Sequence, residues 1–262
     1  NTTTNFQFKQ NLLYEFLCFG KPGTIRLHKR KRMDKILLML QLQTQLNDAT
    51  NGDKWTKGVT KNGKVINWKR CIYMEAAEMI ESFSWKHWKS IDKEADWENM
   101  QIEVVDVWHF IMSLAIENYI VNMKGGEDDL ALNISTLPSF QTVDCESSTF
   151  ATKDEVIAKV ENIMRLSLTQ DAFELEDLIS EFFDLVVMSG LDLQTLYKLY
   201  VGKNVLNQFR QDHGYKEGSY MKIWDGTEDN VIMKRIWENY SDITPTTLYK
   251  ELSKFYLALK KN

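Results

Sequence analysis

Two short strings in this sequence place acidic residues three apart: Glu75-Ala-Ala-Glu78 and Glu103-Val-Val-Asp106. On a helix such positions share a face, with Cβ atoms about 5–6 Å apart, so each string presents a pair of carboxylates. Twenty-four residues lie between the strings, enough for the chain to reverse and set two antiparallel helices side by side. A lone E-x-x-E is ordinarily a solvated acidic face, but the neighbours here are unusual. Cys71, Ile72 and Met79 surround Glu75, while Ile102, His109 and Phe110 surround Asp106. Carboxylates with such neighbours are expected to face inward, where unpaired charge is strongly unfavourable. Two of them about 5 Å apart repel by roughly 3 kcal/mol at an effective dielectric near 20. No Lys or Arg lies on those helix faces to offset this. Two divalent cations would, and all-carboxylate ligation suits Mg²⁺, with Mn²⁺ as the alternative. A di-iron centre would need Glu-x-x-His on two helices; only Asp106-Val-Trp-His109 approaches that pattern, once.

A second set of residues lies far along the chain. Lys203, Asn207 and Arg210 fall at helical spacing, with Tyr215 and Lys216 just past the Gly214 turn. Spaced cations and an amide in an otherwise acidic chain suit a polyphosphate, Arg as a fork and Lys as a point charge. The competing reading is a surface helix whose cations pair with acids elsewhere. No glycine-rich phosphate loop precedes Lys203, and no Ser/His/Asp or Cys/His nucleophile arrangement is legible. Gln43 and Asn47, one turn apart, offer both donors and acceptors, as a pyrimidine edge requires. They fit a half-exposed helix face equally well. Six of the eight tryptophans (Trp55, Trp68, Trp85, Trp88, Trp97 and Trp108) crowd the first motif, mostly as core, with one or two available to wall a base pocket.

Elements must hold these groups. Three prolines in 262 residues leave long stretches unpunctuated, which argues for helices and against an all-β fold. The pattern predicts helices over about 34–48, 67–84, 97–123 with Asp96 as N-cap, 152–168 behind the capping box Thr152-Lys-Asp-Glu155, 171–190, 192–212, 228–240 and 246–259. Gly125-Gly126 is expected to close the third. Residues 57–67 read as a loop or small hairpin, and 124–150, polar and aperiodic around Pro138, as a long loop or insertion. Glu174-Leu-Glu-Asp177 and Glu181-Phe-Phe-Asp184 repeat the acid spacing but read as structural. The expected fold is an all-α helical bundle in one domain over 33–262.

The formal charge of −5 is unevenly spread. Residues 1–32 hold seven Lys or Arg and one Glu, a net +6, which leaves −11 for the remainder. The head ends in Lys29-Arg30-Lys31-Arg32 and reads as a disordered segment or sequence upstream of a start at Met33, rather than a targeting signal, because its apolar stretch precedes its basic cluster. An acidic body disfavours nucleic acid as a partner. Cys18, Cys71 and Cys145 are odd in number and scattered, so no disulfide framework is written, and a reducing cytoplasmic setting is the default. No apolar run approaches bilayer length.

The joined strings Trp68-Lys-Arg-Cys-Ile-Tyr-Met-Glu75-Ala-Ala-Glu78 and Trp97-Glu-Asn-Met-Gln-Ile-Glu103-Val-Val-Asp106-Val-Trp-His109-Phe110, with Leu40–Asn47 and Lys203–Tyr220, resemble the dimeric all-α dUTPases, relatives of the all-α NTP pyrophosphatases. The resemblance extends over 33–262 and weakens across 124–190. It implies a homodimeric, Mg²⁺-dependent enzyme that hydrolyses dUTP to dUMP and pyrophosphate, and dUDP too, keeping uracil out of DNA and feeding dTMP synthesis. It implies that Glu75, Glu78, Glu103 and Asp106 hold the metals, with Glu75 also deprotonating the attacking water. Lys203, Asn207, Arg210, Tyr215 and Lys216 would hold phosphates and sugar. Gln43, Asn47, His109 and Phe110 would line the uracil and deoxyribose pocket. The alternatives are a sibling pyrophosphatase acting on another nucleotide such as dCTP, and a nucleotide-binding regulator without catalysis.

Overall fold

A computed structural model describes residues 22–89, 94–143, 151–169, 174–240 and 244–259, the side chains of 22–29 excepted. Cys18, Cys145 and the Asp171 start of the helix expected over 171–190 lie outside these residues. The described chain is all-α, with one two-stranded hairpin. Helix α1 spans Pro22–Asn51, α2 Trp68–Glu81, α3 Trp97–Val121, α4 Glu127–Thr136, α5 Pro138–Thr142, α6 Lys153–Leu168, α7 Leu175–Met188 and α8 Leu193–Asp212. Strands β1 (Ile223–Trp224) and β2 (Thr227–Glu228) pair antiparallel before α9 (Asp229–Glu238) and α10 (Pro245–Leu259).

Two boundaries depart from the sequence expectation. Helix α1 begins at Pro22, well before Met33. Proline at the first helical position is pre-organised for a helix, and the Lys, Arg and Leu that follow are good helix formers that need no amphipathic period. Its basic cluster is anchored: Arg32 is buried, stacks 4.6 Å above the Phe140 ring and donates to the carbonyls of Phe140 and Gln141. The stretch expected as a loop after residue 124 contains α4 and α5. Asp129 caps α4 by accepting from the Gly126 N–H at 3.1 Å, Leu130, Ala131 and Ile134 are buried, and Pro138 starts α5 rather than breaking it. Helices of ten and five residues are too short to display a period.

The cap of α3 also differs. The left-handed residue is Met123 (φ 54°), and the Lys124 N–H reaches back to the Tyr119 carbonyl at 2.8 Å, a Schellman-type closure two residues before the glycine pair. Elsewhere the signals hold. Asp96 caps α3 through the Asn99 N–H at 3.0 Å, Thr152 and Glu155 form the expected capping box, and Gly214 makes the turn after α8 with φ 85°. An isolated bridge between Val59 and Val65 gives the small hairpin of the 57–67 loop.

Helices α2 and α3 form an antiparallel pair. The Asp96 N–H meets the Ser82 carbonyl at 2.9 Å, Phe83 packs on Trp97 at 5.3 Å, and at the other end Trp68 lies 6.1 Å from Phe110. Helix α3 is long and apolar enough to cross a bilayer by length and composition, although its sequence has no uninterrupted apolar run. Two thirds of that apolar window is buried by the surrounding helices, so a central core position accounts for its composition. At its middle Trp108 stacks flat on Phe182 (4.6 Å, 10°). Lys159 on α6 bridges Glu181 and Asp184 of α7 at 2.7 and 3.3 Å, the structural use expected of that acid pair.

Helix α8 links two buried clusters. Its first half, with Leu193, Leu196 and Tyr200, completes the main core; its second half, with Val205, Leu206 and Phe209, packs with Trp224, Ile232, Met233, Leu248 and Tyr256 in a separate one. Gly202 lies at the junction. A Cβ there would stand 2.6 Å from the Met233 Sδ, so the missing side chain lets α9 approach α8.

Candidate active site

The two acid strings converge as their spacing requires. Carboxylate oxygens of Glu75 on α2 and of Glu103 and Asp106 on α3 all lie within 4.8 Å of one another, on half-buried side chains. Glu78 is exposed and stands outside this triad, although it lines the same cleft and its charge is felt by both glutamates. The expectation of four inward-facing acids is therefore met by three, with Glu78 at the rim. Burial, then the neighbouring Asp106, raises Glu75 to about 7 and Glu103 to about 8. Part of the compensating charge comes from the protein: Lys203 Nζ lies 2.8 Å from Asp106 Oδ2. That cation sits on α8, 97 residues along, not on the helices that carry the acids. The Lys203 ammonium is matched to one carboxylate of the triad and leaves the two glutamates without a direct counter-ion, and an oxygen-only donor set fits a hard divalent cation.

These residues line a cleft of about 870 Å³ that also contains Gln43, Asn47, Trp68, His109, Phe110, Asn207, Arg210 and Tyr215. Every expected site residue except Lys216 is thus in one cavity. Lys216 stands at its edge, donating to the carbonyl of Thr50, which does line it. Arg210 is buried and already engaged: Nε and Nη2 donate to the two Asp229 oxygens at 2.8 Å each, and Nη1 to Asn207 Oδ1 at 3.2 Å. Lys203 donates to Asn230 Oδ1 at 3.0 Å. The start of α9 thereby orients both cations that α8 places in the cleft, Lys203 and Arg210. Sequence reasoning missed Asp229, Asn230 and Lys222, which the turn through residues 213–228 returns to the site. Only the charged Glu228-Asp229-Asn230 string at a helix start could have drawn attention to them.

On the other side of the acids, one turn along α3, His109 and Phe110 line the cleft with Trp68. Gln43 and Asn47 are buried, and their amides bond to each other and to Ser113 rather than standing free. Burial holds the His109 imidazolium down to about 4, and the ring is neutral at physiological pH. Of the crowded tryptophans, Trp55, Trp68 and Trp108 are core, while Trp85 and Trp88 are exposed.

A second cavity of about 480 Å³, between α9, α10 and the hairpin, is lined mainly by apolar groups such as Trp224, Ile232 and Phe255. The larger cleft has what a hydrolytic site needs: clustered carboxylates, cations and an aromatic wall. Comparison with known proteins agrees with this geometry. A family model described as dUTPase matches residues 35–215, over two thirds of the chain. The match takes in the acids, the aromatic wall and Lys203 through Tyr215, and stops short of Lys222, Asp229 and Asn230. Comparison with curated proteins gives no match.

Proposed function

The chain belongs to the all-α dUTPase family and is a dUTP diphosphatase; on that premise we propose that the 870 Å³ cleft is its active site, that it works with Mg²⁺, and that it accepts dUDP as well as dUTP. The observation that carries this reading is the convergence of Glu75, Glu103 and Asp106 within 4.8 Å beside the Lys203 ammonium. Glu75, Glu103 and Asp106, with Glu78 from the rim, would hold Mg²⁺, and Mn²⁺ would satisfy the same oxygen set. Bound there, the cations offset the substrate's negative charge and make a water easier to deprotonate.

The protein's own groups divide the remaining work. Glu75, with a proton affinity near neutrality, is suited to take the proton of the attacking water. Lys203, Arg210, Asn207 and Tyr215, with Lys222 and Asn230, would bind the polyphosphate and hold its leaving charge. Phe110 and Trp68 would wall the base, while His109, backed by Gln43 and Asn47, would read the nucleoside. Lys216 would join through motion of the turn that carries it. Hydrolysis of dUTP would keep uracil out of DNA, and its product dUMP would supply dTMP synthesis. Homodimerisation and cytoplasmic residence complete the proposal, both resting on family membership.

Product analysis over a nucleotide panel tests it. With Mg²⁺, dUTP should yield dUMP and pyrophosphate, dUDP should yield dUMP and phosphate, and Glu75→Gln should abolish both. Preferential turnover of dCTP, or undiminished turnover by the variant, would defeat the assignment.

A further inference from the structure

Ser113 lies on α3, fully buried, one turn beyond His109. Its hydroxyl hydrogen goes to the His109 carbonyl at 2.9 Å. A hydroxyl has one hydrogen and two lone pairs, so Oγ can only accept from its other neighbours. Those are Gln43 Nε2 at 3.0 Å and Asn47 Nδ2 at 2.9 Å. Both amides are thereby oriented, and Asn47 Oδ1 takes the second Gln43 N–H at 3.2 Å. The opposite orientation would set two carbonyl oxygens against an oxygen with no hydrogen left to give.

With its nitrogen turned to Ser113, Gln43 presents Oε1 to His109 Nδ1 at 2.7 Å. A carbonyl oxygen cannot donate, so the proton of that bond belongs to Nδ1. The Tyr200 ring lies tilted against the imidazole at 4.5 Å, with its hydroxyl 3.2 Å from the same Gln43 oxygen. The other ring nitrogen, Nε2, is buried and has no partner among the described residues, on a side chain that lines the cleft. His109 follows Asp106 by three residues, a rise of about 4.5 Å along the helix, which sets it on the nucleoside side of the acids.

We propose that Ser113 is a positioning residue that locks His109 as its Nδ1–H tautomer, so that the Nε2 lone pair accepts a hydrogen bond from the bound nucleoside. The inference rests on the cleft being the dUTP site. A buried acceptor without a donor is unfavourable in the empty protein, and the ligand relieves it. Deoxyuridine has two donors of the right kind, uracil N3–H and the 3′-hydroxyl. Cytosine has a lone pair at N3, so if the base supplies the donor the same nitrogen rejects dCTP.

The test begins with long-range ¹H–¹⁵N correlations on the full chain labelled at its four histidines, His109 being assigned by its loss in His109→Gln. The expected pattern is protonated Nδ1 and bare Nε2; a proton on Nε2 overturns the proposal. Ser113→Ala should mix the tautomers and raise KM for dUTP at least tenfold with a smaller change in kcat, and Ser113→Thr, which keeps the hydroxyl, should restore the wild-type pattern. The donor is identified by binding, independent of turnover. Affinity for α,β-imido-dUTP is compared with its N3-methyl and 3′-deoxy forms. A loss of tenfold or more for the first assigns the base, for the second the sugar, and equal affinity for all three refutes the acceptor role. Absence of dUTP turnover beside the expected tautomer would instead count against the functional reading.

Discussion

Lys203 Nζ stands 2.8 Å from Asp106 Oδ2, joining α8 to α3 at the centre of the cleft. Both side chains are largely shielded from water, so the contact is more than a surface ion pair. It sets the ammonium where it answers the acids and where a phosphate would arrive. The same charge therefore competes with a bound cation and assists a bound triphosphate.

Replacing Lys203 by Met should move two readouts in opposite directions. Without the ammonium the acids are more negative, and Mg²⁺ should bind the nucleotide-free protein more tightly. The triphosphate loses a counter-charge, and KM for dUTP should rise about tenfold, equivalent to about 1.4 kcal/mol. Calorimetric Mg²⁺ titration and steady-state kinetics measure the two. A parallel loss of both would mean that Lys203 serves the fold and not the ligand.

Stability of the metal-free protein should fall as pH rises from about 5 to 8. Glu75 and Glu103 are raised from 4.5 to about 7 and about 8, by burial first and the Asp106 charge second. Between those values the folded chain holds more protons than the unfolded one, so their contribution is full below 4.5 and lost as pH passes through 7 to 8. Mg²⁺ must displace those protons at low pH, so its increment in Tm should be larger at pH 8 than at pH 5.5. EDTA should remove the increment. Thermal melts across this range check the sign, and an increment independent of pH would place the cation elsewhere.

Asp229→Asn should be among the most damaging single changes outside the cleft acids. Asp229 is 1% exposed and receives two guanidinium bonds from Arg210 and a third, at 2.8 Å, from the Tyr220 hydroxyl. Stranding a buried guanidinium costs about 3–5 kcal/mol. Lys254→Ala, which removes the 70% exposed partner of Glu251, should leave stability nearly unchanged, because water screens an exposed ion pair. Urea denaturation of the two variants provides the contrast, and the first should also raise KM for dUTP because Arg210 loses its orientation.

Phe182→Ala should cost about 3–5 kcal/mol by cavity formation. The ring is fully buried and lies flat on Trp108, two residues after Asp106. Denaturation at fixed Mg²⁺ measures the loss. The intrinsic fluorescence of Trp108 should shift as water or motion reaches it.

What was legible in the sequence followed from local physics. Helical spacing put Glu75 with Glu78 and Glu103 with Asp106 on shared faces, and Asp96, Thr152 and Gly214 announced helix ends through side-chain or backbone chemistry that acts within a few residues. Short elements escaped, because α4 and α5 hold too few residues to show a period. The 22–32 stretch of α1 escaped because it is helical by propensity, anchored through Arg32 to a helix more than a hundred residues away.

Charge balance and hydrogen-bond direction at the site were decided by tertiary structure alone. The acid strings announced a need for positive charge but not that Lys203 would supply some of it, nor that Glu78 would turn to solvent. The string Gln43–Asn47 announced amides but not that Ser113 and Tyr200 would enclose them. Asp229 carries no pattern that points to Arg210. Sequence spacing governs interactions within a helix, because the backbone fixes neighbours three and four residues apart. Partners on different helices are fixed only when the cores beneath them pack, and here that packing brings α1, α3, α8 and α9 around one cleft.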